Sequence, residues 1–198
     1  MYGDWKTGKL NSSSPGYHKI VNFCRSAWTN HGLAFGWMDT VCINKESSAE
    51  LDEFIRSMYK WYERAAACII YLAETQYIAD IHLDRWFTHG WTFQELLAPN
   101  YVKFYNQDWQ CFRSSRSQAI VSQITKATTI TDRELSRIHL APLSRRMQLA
   151  AAREVTHEED TAYSLMGIFN VSIAPVYGKG AERSFARLLH EILNTTSE

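Results

Sequence analysis

The stretch from Phe35 to Glu74 constrains the fold of this chain more than any other. It opens on Phe35-Gly36-Trp37-Met38-Asp39, a short apolar run of strand-like composition, followed by a polar loop over residues 40–48. Residues 49–65 then place Leu51, Phe54, Ile55, Met58, Tyr59 and Tyr62 at helical spacing, which predicts a helix with one buried face. Ser47 and Glu50 form an S-x-x-E capping box at its start, where side chains satisfy free backbone N–H groups. Cys68-Ile69-Ile70-Tyr71-Leu72 is a continuous apolar run, as a strand covered on both faces requires. Strand, helix and strand within about 40 residues predict a βαβ unit with parallel strands and a right-handed crossover. Ligands of open α/β sheets sit outside the carboxyl ends of the strands, so Asp39 with the 40–48 loop and Glu74 mark the expected site.

The rest of the chain extends this core. Residues 1–16 are polar and end in a Ser-Pro-Gly loop, and residues 17–30 carry a helical pattern closed by His31-Gly32. Residues 75–85 have a weak pattern and are expected to be mostly loop. Trp91 to Ala98 reads as a helix stopped by Pro99, and Tyr101-Val102-Lys103-Phe104-Tyr105 reads as a third parallel strand before an Asn106-Gln107-Asp108-Trp109 turn. Beyond Trp109 the pattern is mainly helical, at 117–125, at 144–152 and in a last amphipathic helix carrying Phe185, Leu188, Leu189 and Ile192. Thr156-His157-Glu158-Glu159 forms a second capping box opening a helix through Phe169. The expected organisation is a polar segment over 1–16, an α/β core with a parallel sheet and flanking helices over 17–109, and a helical part over 110–194.

Equal numbers of acidic and basic residues, 21 each, give no clustered cationic surface of the kind that nucleic acid or anionic membrane demands. No apolar run approaches the length of a membrane span. The four cysteines lie far apart, with no C-x-x-C and no histidine at ligand spacing. They read as reduced thiols in a cytoplasmic protein, with no metal site.

Glu95 is the sharpest candidate for chemistry. It lies on a short helix between two expected strands, flanked by Trp91 and Phe93, where partial desolvation would suit acid/base or electrostatic catalysis; a surface helix glutamate or a buried salt-bridge partner is the alternative. Asp39, at the end of the first expected strand, would either bind a ligand or cap the turn that follows it. Gly178-Lys179-Gly180 precedes a helix but lacks the G-x-x-x-x-G-K-[ST] pattern, and reads as a turn rather than a phosphate loop.

Several ordered blocks carry a family resemblance. Trp37-Met38-Asp39-Thr40-Val41-Cys42-Ile43-Asn44-Lys45, Ser57-Met58-Tyr59-Lys60-Trp61-Tyr62, and the run from Trp86 through Trp91-Thr92-Phe93-Gln94-Glu95-Leu96-Leu97-Ala98-Pro99 resemble the fungal heterokaryon incompatibility (HET) domain. So do Phe104-Tyr105-Asn106-Gln107-Asp108-Trp109, Glu159-Asp160-Thr161-Ala162-Tyr163-Ser164-Leu165-Met166-Gly167-Ile168-Phe169, and Tyr177-Gly178-Lys179-Gly180. The resemblance covers residues 16 to 193.

It implies a cytoplasmic module of fungal nonself recognition, a form of innate immunity. Such a module triggers programmed cell death through protein–protein assembly and needs no cofactor. HET domains are distantly similar to Toll/interleukin-1 receptor (TIR) domains, which implies a TIR- or flavodoxin-like core. Some TIR domains cleave NAD with a helical glutamate; by that likeness Glu95 would be catalytic, Trp37, Asp39 and Asn44 would bind the nucleotide, and NAD would be a substrate. The family pattern also begins with a strand of the form leucine-serine-histidine-threonine-tryptophan-glycine, which this sequence lacks. Without it the expected sheet has an exposed edge, which favours pairing with another chain. The further alternative is an inactive truncated copy.

Overall fold

The structure, a computed structural model, describes residue 8, residues 11–113 and residues 116–196. Residues 1–7, 9 and 10 of the polar N-terminal segment lie outside these. The chain forms two compact units, residues 1–54 and 55–198, and the division falls inside one helix, Ser48–Arg64.

In the first unit, helix Pro15–His31 starts where Ser14 Oγ accepts the Tyr17 N–H at 3.2 Å. It stops at Gly32, whose φ of 65° lets its N–H reach back to the Trp28 carbonyl. The expected strand at Phe35-Gly36-Trp37-Met38-Asp39 does not form. Residues 35–38 are irregular, and Asp39–Cys42 is a single helical turn closed by the Met38 carbonyl, which accepts from Val41 and Cys42. Two physical reasons are visible. Phe35 is 95% exposed, so the run lacks the two covered faces of an inner strand. At Gly36 the Phe23 ring comes so close that a Cβ would meet its Cε1 at 2.5 Å; the segment is shaped by packing on the first helix, not by a sheet ladder.

The second unit carries the parallel sheet one step later than the sequence suggests. Strand β1 (Cys68–Tyr71) pairs in parallel with β2 (Val102–Tyr105), in the register Cys68↔Val102 to Tyr71↔Tyr105. Both expected strands are therefore present. Among the described residues the sheet has these two strands instead of three. A parallel pair needs a long crossover; here it contains two 3-10 turns, Ile78–Leu83 and Arg85–Thr88, and the helix Thr92–Leu97. Residues 75–85, expected as loop, are shaped into those turns by the buried Asp84. Its Oδ2 accepts from the Glu74 N–H and Thr75 Oγ1, and its Oδ1 accepts from the Trp86 N–H. The core around the sheet is formed by Ile70, Leu72, Ile81, Phe93, Phe104 and Tyr105, with Ile120 and Ile124 of helix Gln118–Thr128.

The C-terminal part is helical as expected, with Leu143–Ala150 close to the expected 144–152 and the last amphipathic helix at Ala181–Thr196. The Thr156 capping box is a correction: the helix starts at Asp160 without a side-chain cap, and it is split into Asp160–Tyr163 and Met166–Phe169. At Gly167 a Cβ would lie 2.1 Å from Tyr59 Cβ, so glycine permits the close approach of two helices. No helix among the described residues is long and apolar enough to cross a membrane.

Candidate functional site

Glu95 sits in the first turn of the crossover helix, half-buried, between β1 and β2 in the chain. Its backbone position is fixed from both sides. Thr92 Oγ1 donates to the carbonyls of Trp86 and His89, and a parallel bridge joins His89 to Glu154, with Gly90 N–H donating to the Glu154 carbonyl at 2.8 Å. Gln94, fully buried beside it, donates through Nε2 to the Ser164 carbonyl at 2.7 Å.

The Glu95 carboxylate accepts from Trp86 Nε1 at 3.3 Å. Arg153 supplies the nearby positive charge. Its guanidinium lies over the Phe93 ring, 4.5 Å from the centroid, and Nη1 donates to the His89 carbonyl and Thr92 Oγ1. Burial lowers the Arg153 pKa to about 10, opposed by the charge of Glu95. The Cys68 thiol is pushed upward by burial and, secondarily, by the same carboxylate, so it is not poised as a thiolate nucleophile. Glu95 thus has an indole N–H on its carboxylate and the Arg153 charge within electrostatic reach. That arrangement can stabilise a developing cation, and it equally serves to hold Trp86 and Arg153.

Trp37, Asp39 and Asn44 belong to the first unit and cluster around one helical turn. Trp37 precedes it, Asp39 begins it and Asn44 follows it, all half-buried. Asn44 Oδ1 accepts the Glu46 N–H at 3.2 Å, making an Asx-type turn. The expected side-chain cap by Asp39 is replaced by main-chain bonds, with Asp39 contributing its carbonyl to the Ile43 N–H.

An acidic pair, Glu159 and Asp160, carries more of the architecture than its sequence signal suggests. Asp160 is buried and accepts from Trp91 Nε1 at 3.0 Å and from Tyr177 OH at 2.8 Å. Burial first, then this bond to Asp160, raises the Tyr177 pKa. Glu159 accepts from the backbone N–H groups of Lys179 and Gly180. Backbone N–H groups, its own and then that of Gly180, hold its carboxyl below the usual range. The Gly178-Lys179-Gly180 turn, with φ of 79° and 83° at its glycines, is thus an anion-binding concavity filled by the protein's own glutamate. Sequence alone offered one signal, an acidic pair in the helix entry. Its partners lie too far along the chain to be read from spacing.

Residues 10–82 match the model for the heterokaryon incompatibility protein (HET) family. The chain is also 38% identical, over 207 aligned positions, to vegetative incompatibility protein HET-E-1 of Podospora anserina, an alignment covering 96% of this chain. The chain belongs to the HET family. It spans 15% of the length of HET-E-1. No solved structure matches it. The segment matched by the HET model takes in Trp37, Asp39 and Asn44; Glu95 and the Glu159–Asp160 pair fall within the longer similarity to HET-E-1.

Proposed function

We propose that this chain is a heterokaryon incompatibility module that signals programmed cell death in the cytoplasm by assembling with other protein chains. The observation that carries this reading is the similarity to HET-E-1 across nearly the whole chain. Assembly is further supported by large apolar side chains left in water in each unit. Trp28 and Phe35 are 65% and 95% exposed in the first; Tyr77, Leu83 and Leu193 are exposed in the second. A ring as exposed as Phe35 adds little to the stability of an isolated chain and gains by being covered in a contact. The engagement of Glu95 by Trp86, with Arg153 nearby, supports a structural role for that carboxylate ahead of catalysis on NAD.

The test joins assembly to killing. The mass of the purified chain is measured against concentration, and growth of yeast expressing it is followed in parallel, for wild type and Phe35→Asp. The reading expects concentration-dependent association and growth arrest, both lost in a folded Phe35→Asp variant. A chain that stays monomeric at high concentration while still arresting growth overturns it.

A further inference from the structure

A cavity of about 610 Å³ opens within the second unit, inside the size range of small-molecule sites. Met147 and Ala150 of the Leu143–Ala150 helix, Val155, and Phe185 of the last helix give it a mostly carbon wall. Neither charged residue on that wall offers an ion a partner. Arg153 has Nη1 on the His89 carbonyl and Thr92 Oγ1, and burial seals off its Nη2. Glu182 is exposed and carries a negative charge.

A different polar group is buried on this wall. Ser164, which closes the Asp160–Tyr163 helix, is 2% exposed. Its backbone is held from both sides: the N–H donates to the Asp160 carbonyl at 3.0 Å, and the carbonyl accepts from Gln94 Nε2 at 2.7 Å. Its hydroxyl makes no hydrogen bond among the described residues, yet its oxygen is not one of the unpaired atoms that burial seals off, as Arg153 Nη2 is. That oxygen lies 3.5 Å from where a Cβ on Gly90 would stand, and Gly90 also lines the cavity. A hydroxyl donates one hydrogen bond and accepts others, so leaving it unpaired in a carbon-walled cavity is unfavourable.

We propose that this cavity binds a small neutral alcohol, with its apolar body against Met147, Val155 and Phe185 and its hydroxyl paired with Ser164 Oγ. The apolar wall supplies most of the binding, and Ser164 orients the ligand. A carboxylate is disfavoured, because it would leave water with no cation to receive it. This site is distinct from the assembly surfaces invoked above and does not depend on them.

Three probes share one body and differ in the head: 2-phenylethanol, ethylbenzene and phenylacetate. Each is titrated into the 198-residue chain and followed by NMR of the protein's methyl signals. Wild type is expected to bind the alcohol and the hydrocarbon, and to bind phenylacetate at least about tenfold more weakly than the alcohol. Ser164→Ala should weaken the alcohol about three- to tenfold, the worth of one neutral hydrogen bond, and leave ethylbenzene unchanged. A merely structural role for Ser164 would move both probes together. Ala150→Trp, which fills the cavity, should abolish binding of both. If either variant does not fold, the other and the phenylacetate ratio still decide. No binding of 2-phenylethanol, phenylacetate bound as tightly as the alcohol, an equal change for alcohol and hydrocarbon in Ser164→Ala, or wild-type binding by folded Ala150→Trp overturns the proposal.

Discussion

Replacing Glu134 by glutamine tests how the helical part is fastened. Glu134 closes a capping box: it takes the Thr131 N–H on Oε2, while Thr131 Oγ1 accepts the Glu134 N–H. The same carboxylate receives two bonds from Arg145, Nε to Oε1 at 2.7 Å and Nη2 to Oε2 at 3.2 Å. This joins helix Asp132–Arg137 to helix Leu143–Ala150. The Arg145 bond, followed by the Thr131 bonds, lowers the Glu134 pKa from 4.5 to about 2 despite partial burial. A drop of that size corresponds to at most about 3 kcal/mol, and screening by water at the edge of the pair brings the expected loss to about 1–2 kcal/mol. Because the folded pKa is depressed, this stability is present above the unfolded value of 4.5 and is lost as pH falls towards 2. Urea unfolding of wild type and Glu134→Gln at pH 7 and pH 3, followed by circular dichroism, measures it. The gap between the two proteins should shrink at pH 3 to less than half of its pH 7 value. A gap independent of pH would show that the carboxylate's charge is not what binds the two helices.

Two other sites give sharp expectations. Gly167→Ala drives a methyl group into Tyr59 and should lower stability by about 1–3 kcal/mol, read as a fall in thermal midpoint; an unchanged midpoint would mean the two helices separate freely. Asp84→Asn replaces an acceptor-only group facing three donors and should cost about 1–3 kcal/mol, with faster amide exchange at Glu74 and Trp86. Wild-type exchange there would mean that other groups hold those turns.

Local patterns were readable where local forces decide. The Cys68 and Val102 strands, the Glu95 helix and the terminal amphipathic helix stand where apolar period and turn residues put them, because each buries its own face. The Thr131 and Thr156 segments show the limit. Both spell T-x-x-E, yet only Thr131 makes a capping box, while Glu159 turns to the N–H groups of Lys179 and Gly180 some twenty positions away. A propensity of about a kcal/mol yields to two charge-assisted bonds offered by the tertiary fold. The Phe35 run fails as a strand for a similar reason: strand composition has no effect without a neighbour to complete the ladder. At the candidate site, the Glu95 helix was legible, but Arg153 and Trp86 became its neighbours only through the fold. The aromatic flanks singled out in the sequence serve elsewhere, Trp91 on Asp160 and Phe93 beneath Arg153.

Action by assembly, and not by chemistry at Glu95, is what we propose for the chain. Its most direct test is growth of yeast expressing Glu95→Gln beside wild type, with nicotinamide release from NAD measured on the purified proteins. Glutamine keeps an oxygen for the Trp86 N–H and removes the charge. The account predicts growth arrest in both strains and no release from either protein. Arrest and nicotinamide release in wild type that both vanish in a folded Glu95→Gln variant would contradict it.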